Sequence, residues 1–173
     1  GNTLMDIWCE RHTGASFDLN GNWAASGRVQ PELLKHLLNE PYLQHNPPKS
    51  TGRETFNENW LAQKLEPFPS ASMQAEDIQA TLLAFTVHSI EQNLQIACRQ
   101  AGLDSSADLE GVYICGGGAC NPRLMSQLTT QITAPVFSST RLGIPPKQVE
   151  ATAFAWLGKQ CVEQTAIDLC RTT

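Results

Sequence analysis

Apolar residues recur at helical spacing in several stretches of the chain and bunch into short strand-like runs in two. The longest helical stretch runs from about Met73 to Ala101, with Leu83, Val87, Ile90, Leu94 and Ala97 on one face and Ile78, Leu82 and Phe85 widening it. Glu76 and Asp77 suit the positive end of its dipole, and Gly102 is a stop. His88 and Cys98 inside it read as packing residues. Pro31 to Asn39 is a shorter helix, with Leu33, Leu34, Leu37 and Leu38 on one stripe and Pro41 ending it. Asn2 caps a first helix that carries Leu4, Ile7 and Trp8 on one face and stops at Gly14. Phe56 to about Leu65 is a modest helix, followed by a linker over Pro67 to Ser72. Asp18 to Gly27 reads as an irregular, turn-rich loop.

The strand-like runs lie on either side of a helix. Gly111 to Cys115 reads as a buried strand, then come Gly116, Gly117 and Gly118, then a helix opening at an Asn121 cap with Pro122 in its first turn. Leu124, Leu128 and Ile132 give that helix its buried stripe, and Pro135 to Ser139 is the second strand. Gly143-Ile144-Pro145-Pro146 leads into a final helix with Val149, Ala153, Trp156 and Leu157 on the core side. The tally is about six helices and two strands, and strand–helix–strand order implies a parallel pair. Two parallel strands do not make a stable sheet, so an α/β fold with an incomplete sheet is expected, its other strands upstream of Gly1. An open strand edge seeks a partner, which makes a homodimer or a covering helix an expectation.

Composition narrows the function classes. At 173 residues and 41% hydrophobic, the chain suits one domain with a real core. A net charge of -5 excludes the basic face that nucleic-acid and membrane-surface binders carry. No apolar run approaches the ~18 residues of a membrane span. Cys9, Cys98, Cys115, Cys120, Cys161 and Cys170 form no C-x-x-C pair and mostly fall in apolar patterns, as reduced packing cysteines of a cytoplasmic protein do. His12, His36, His45 and His88 are scattered, so no metal site is expected. Asp18, Asn20 and Asn22 imitate the start of a calcium loop, but Trp23 stands at the glycine position and Val29 at the bidentate glutamate, which rejects calcium.

The chemistry-bearing candidates are few. Three glycines between strand and helix let the backbone come close to a ligand, beside a helix start that suits a phosphate or polar nucleotide edge; a plain tight turn is the competing reading. Lys49-Ser50-Thr51 imitates the end of a P-loop without its glycines, so that reading fails. Lys49 and Arg53 suit either an anion clamp or a solvated loop. Glu150, in the first turn of the last helix, is a dipole partner or a functional acid. A dinucleotide fingerprint is excluded by Asn121 at its third glycine and by the absence of an acidic residue after the second strand.

Five segments together carry a resemblance. Gly1-Asn2-Thr3-Leu4-Met5-Asp6, Trp23 to Gly27, Pro48 to Glu54, Gly116 to Asn121, and Gly143 to Leu157 resemble, in order, the anhydro-N-acetylmuramic acid kinases. The resemblance implies one domain over 1–173, the helix-rich C-terminal, adenosine-holding half of a ribonuclease-H-like, actin-type ATPase fold. It implies ATP and Mg²⁺ as cofactors and an anhydro-amino-sugar as substrate. Water opens the 1,6-anhydro ring while the 6-oxygen is phosphorylated, giving N-acetylmuramic acid 6-phosphate in cell-wall recycling. Gly116, Gly117, Gly118 and Asn121 match the nucleotide loop, Glu150 a glutamate on the sugar side, and Lys49, Ser50 and Arg53 a loop near the phosphates. Gly1 and Asn2 match the end of a D-x-G-P-G-N segment whose Asp is the general base and is expected before Gly1. The fragment alone is therefore expected to be inactive. A non-catalytic interaction module of the same fold is the alternative, disfavoured by retention of Glu150, the glycines and Lys49.

Overall fold

The computed structural model describes residues 2–47, 49–68 and 73–167. Its organising element is α6 (Ala75–Gln100). From Ile78 to Val87 every residue of α6 is buried, because α1 (Thr3–Thr13), α2 (Asn22–Ser26), α3 (Pro31–Leu38) and α7 (Pro122–Gln131) surround this half. Leu4, Met5 and Trp8 of α1, Leu33 and Leu37 of α3, and Leu124 and Leu128 of α7 close on Leu82 and Leu83. Two of the buried polar residues here are engaged: the Thr81 and Thr86 hydroxyls donate back to the carbonyls of Asp77 and Leu82 at 2.7 and 3.0 Å. Trp8 Nε1 donates to the Ala75 carbonyl at 2.8 Å, tying α1 to the start of α6. The C-terminal half of α6 emerges: Ile90 and Leu94 are half-buried, Ala97 is exposed and Cys98 is buried instead.

β1 (Val112–Ile114) and β2 (Val136–Ser138) pair in parallel, Val112 opposite Val136 and Ile114 opposite Ser138, with α7 as the crossover. The sheet has two strands among the described residues, an α/β unit with a small sheet in a helix-rich chain. β1 is half-buried, not buried as expected, with Tyr113 39% exposed, and among the described residues no third strand pairs with the sheet.

Other expectations need correction. Asp18 to Gly27 is not an irregular loop but a 3₁₀ turn (Leu19–Gly21) followed by α2, packed against α6. Buried Asp18 makes the difference, its carboxylate accepting from Trp23 N at 2.9 Å and Ala24 N at 2.8 Å. Asn2 does not cap α1 through its side chain, since its own backbone is already helical. Pro41, expected as a stop, opens the short α4 (Pro41–Gln44). Asp77 is more than a dipole partner: it accepts from Arg28 N at 2.7 Å and Gln30 Nε2 at 3.0 Å. Cys115, Cys120 and Cys161 are exposed, against the packing role expected, while Cys9 and Cys98 are buried. The largest difference is α8 (Val149–Val162), whose Trp156 is 51% exposed and Phe154 73%. Its residues are apolar nearly all round, and the two short strands offer too little surface to cover it. Gly1, Cys170 and the linker residues 69–72 lie outside the described residues.

Candidate functional site

The glycine loop is built by three glycines for three different reasons. Gly116 has φ 75°, a conformation in which a side chain is strained, and its N–H donates to the Pro146 carbonyl at 2.9 Å. Gly118 needs its missing side chain for packing, since a Cβ there would lie 3.1 Å from both Asn2 Oδ1 and Leu124 Cδ2. Gly117 is constrained by neither: a Cβ would meet only Asn2 Nδ2 at 3.9 Å. It lines an open groove instead. Behind it a 3₁₀ turn (Gly117–Cys120) runs into α7 (Pro122–Gln131), which Asn121 caps by accepting from Arg123 N at 3.0 Å and Leu124 N at 3.2 Å. Two contacts therefore position the loop, one to Asn2 at the start of α1 and one to the turn that leads into α8.

The groove has a volume of about 190 Å³. Asn2 and Asp6 of α1, Phe17 and Leu19 of the next turn, Gly117, Cys120 and Asn121 of the glycine loop, and Lys147 line it. Burial pushes the Asp6 carboxyl above its ordinary value of 3.8, an effect only partly countered by the positive Arg53. The sign follows directly: keeping Asp6 ionised in the groove costs stability. That contribution is most favourable below the ordinary carboxylate pKa and is lost as pH rises through the raised value. Asp6→Asn is expected to raise the melting temperature at pH 7, with the gain fading towards about pH 3.5. A neutral-pH loss in a thermal melt would contradict this.

Lys49 and Arg53 line a different cavity, of about 490 Å³, with Thr3 and Leu4 on its α1 side. The Lys49 ammonium donates to the carbonyls of Tyr42 at 3.1 Å and Leu43 at 3.0 Å and lies 5.0 Å over the Tyr42 ring. With three N–H donors, it has one left for a ligand. Ser50 is exposed and lines neither cavity, and Glu150 is likewise exposed in the first turn of α8. The two cavities meet α1 on opposite sides of the same turn, Asn2 and Asp6 facing one and Thr3 and Leu4 the other.

The structure thus gathers Asn2, Gly117, Gly118 and Asn121 and places the Lys49–Arg53 loop elsewhere. Asp6, Phe17 and Lys147 are groove residues that sequence reasoning did not single out. Asp6 was within reach, four residues after Asn2 and so on its helical face. Lys147 and Phe17 reach the groove only through tertiary contacts.

Comparisons with known proteins point to one family. The family model described as anhydro-N-acetylmuramic acid kinase matches residues 1–173. Among similar proteins, the anhydro-N-acetylmuramic acid kinase of Chromobacterium violaceum is 48% identical over 91% of this chain and 41% of its own length. That of Pseudomonas fluorescens is 45% identical over 96% of this chain and 43% of its own length. That of Bordetella petrii is 40% identical over 99% and 44%. The chain spans under half the length of these curated relatives. With the match running through every segment that builds the groove, the chain belongs to the anhydro-N-acetylmuramic acid kinase family.

Proposed function

We propose that this chain is the nucleotide-binding part, a single domain over 1–173, of an ATP-dependent kinase acting on anhydro-N-acetylmuramic acid. The observation that carries the reading is the groove itself. It presents Gly117 with no side chain of its own, Asn2 and Asn121 with it, and a cation, Lys147, in the same lining. Lys147 stands where it can meet phosphate charge. The small parallel pair with its crossover helix is consistent with the C-terminal half of an actin-type ATPase fold. The reaction on this reading is ring opening by water with phosphorylation of the 6-oxygen, in a cytoplasmic cell-wall-recycling step, with Glu150 supporting the sugar side. Lys49 and Arg53 serve the substrate or phosphates from the second cavity, with Ser50 on the exposed loop between them. Pairing of two copies through the open strand edge belongs to the same proposal and is read by ultracentrifugation.

Mg²⁺ fits the groove's chemistry, since the ion is usually held by one or two carboxylates together with phosphates and water. Asp6 would be its protein ligand; the Asp18 carboxylate is already engaged by two backbone amides. When bound, the ion would neutralise phosphate charge.

Gly117→Val tests the site, because a Cβ there meets no protein atom closer than 3.9 Å while the residue lines the groove. Saturating ATP at 100 times Kd should stabilise the unsubstituted chain by about 2.7 kcal/mol, or roughly 5–10 °C. Gly117→Val should leave the ligand-free melting temperature unchanged and weaken ATP binding by about 1–3 kcal/mol, roughly 5- to 150-fold. An equal ATP shift in both proteins would remove the groove from the reading.

A further inference from the structure

We propose that Phe17, flanked by Leu19, is the stacking surface for the purine ring of the nucleotide, an inference that rests on the nucleotide reading above. Both side chains line the groove, and both are unusually bare for their type: Phe17 is 57% exposed and Leu19 63%. The cause is local. Asp18 between them has extended backbone (φ -77°, ψ 99°), which sends alternate side chains to opposite faces. Asp18 lines the groove as well but is buried, its carboxylate held by Trp23 N and Ala24 N, which leaves Phe17 and Leu19 as the bare apolar surface of this segment.

This segment is locked to the glycine loop. Gly21 has φ 72°, and a Cβ there would fall 2.7 Å from Asn121 Oδ1, the atom that caps α7. Asn20 also adopts a left-handed conformation, φ 60°, which asparagine tolerates. The apolar pair therefore stands at a fixed place relative to Gly117 and Cys120, which line the same groove. Exposed apolar surface rimmed by polar groups marks a binding site. Its volume, about 190 Å³, is below the ~300 Å³ of pockets that enclose drug-sized ligands, so it encloses one ring system rather than a whole nucleotide, with the phosphates running to Asp6 and Lys147 of the same lining.

The test is calorimetric titration of the chain and of Phe17→Ala and Phe17→Tyr with ATP and with adenosine. A base stacked on an aromatic ring is worth about 1–3 kcal/mol by alanine substitution, so Phe17→Ala should raise Kd roughly 5- to 150-fold. The loss should be equal for ATP and adenosine, and Phe17→Tyr should restore binding. Because Phe17 is exposed, the Phe17→Ala melting temperature should match the parent. Unchanged Kd for Phe17→Ala, in a chain that binds ATP, overturns the stacking surface and leaves the nucleotide reading intact. A loss for ATP without one for adenosine, or a loss confined to the anhydro sugar, also overturns it. No binding by the unsubstituted chain overturns the nucleotide reading and this inference with it. An 8-azidoadenosine crosslink should map to the segment with Phe17 and Leu19, and one mapping to the Lys49–Arg53 cavity would contradict the placement.

Discussion

Gly27→Val is expected to lower the melting temperature of the chain by roughly 5–10 °C or to prevent folding. Gly27 follows α2, and a Cβ there would run into the Glu76 carbonyl group and lie 2.7 Å from Asp77 N. These are backbone atoms of the first turn of α6, which cannot swing aside as a side chain can. Relief requires lifting the chain off α6, and that would break Arg28 N to Asp77 Oδ1 at 2.7 Å and Gln30 N to Thr81 Oγ1 at 2.9 Å. Overpacking typically costs about 1–3 kcal/mol and more where backbone must move, and each kcal/mol is about 2–4 °C for a chain of this size. Gly158→Ala is the control: it lies mid-helix in α8 with nothing within 4 Å of a Cβ. It should be neutral or stabilising by up to about 1 kcal/mol. Equal melting temperatures for Gly27→Val and the parent, by circular dichroism, would show that α2 does not bear on α6 as described.

The second large effect concerns catalysis. Incubated with ATP, Mg²⁺ and the anhydro sugar, this chain should form sugar phosphate at a rate at least about 10²–10⁴-fold below that of a complete family member, the usual cost of a missing general base. Phosphoryl transfer depends on positioning, charge neutralisation and a base or water-orienting group. The chain supplies a groove with Asn2, Asp6 and Lys147, while the resemblance puts the base ahead of Gly1. The chain also spans only 41–44% of its relatives' length. Sugar phosphate formed at a comparable rate would show that the base is misassigned.

Local order was legible where one residue type settles one element. The leucine stripe of α3, the Gly14 and Gly102 stops, the Asn121 cap and the parallel strand pair all follow from neighbours in the chain. Asp18 to Gly27 was misread because Asp, Asn and Gly suit turns and helix caps alike, and burial of the Asp18 carboxylate decided between them. The exposure of α8 was not legible either: periodicity tells which residues are apolar, not whether anything covers them. The groove lay furthest out of reach. Asn2, Phe17, Gly117 and Lys147 come from four separated segments, and only the close approach that Gly118 and Gly21 permit brings them together. Lys49 shows the converse, a plausible anion ligand in the sequence whose ammonium the fold directs at two carbonyl oxygens.

The most direct measurement is amide-resolved NMR of the isotopically labelled chain titrated with ATP. Shifts are expected to concentrate at Asn2, Asp6, Phe17 to Asn20, Gly116 to Asn121 and Lys147, the residues in and around the groove. Shifts gathered instead at Thr51, Gly52, Arg53 and Asn93 would place the nucleotide in the 490 Å³ cavity and contradict the groove assignment.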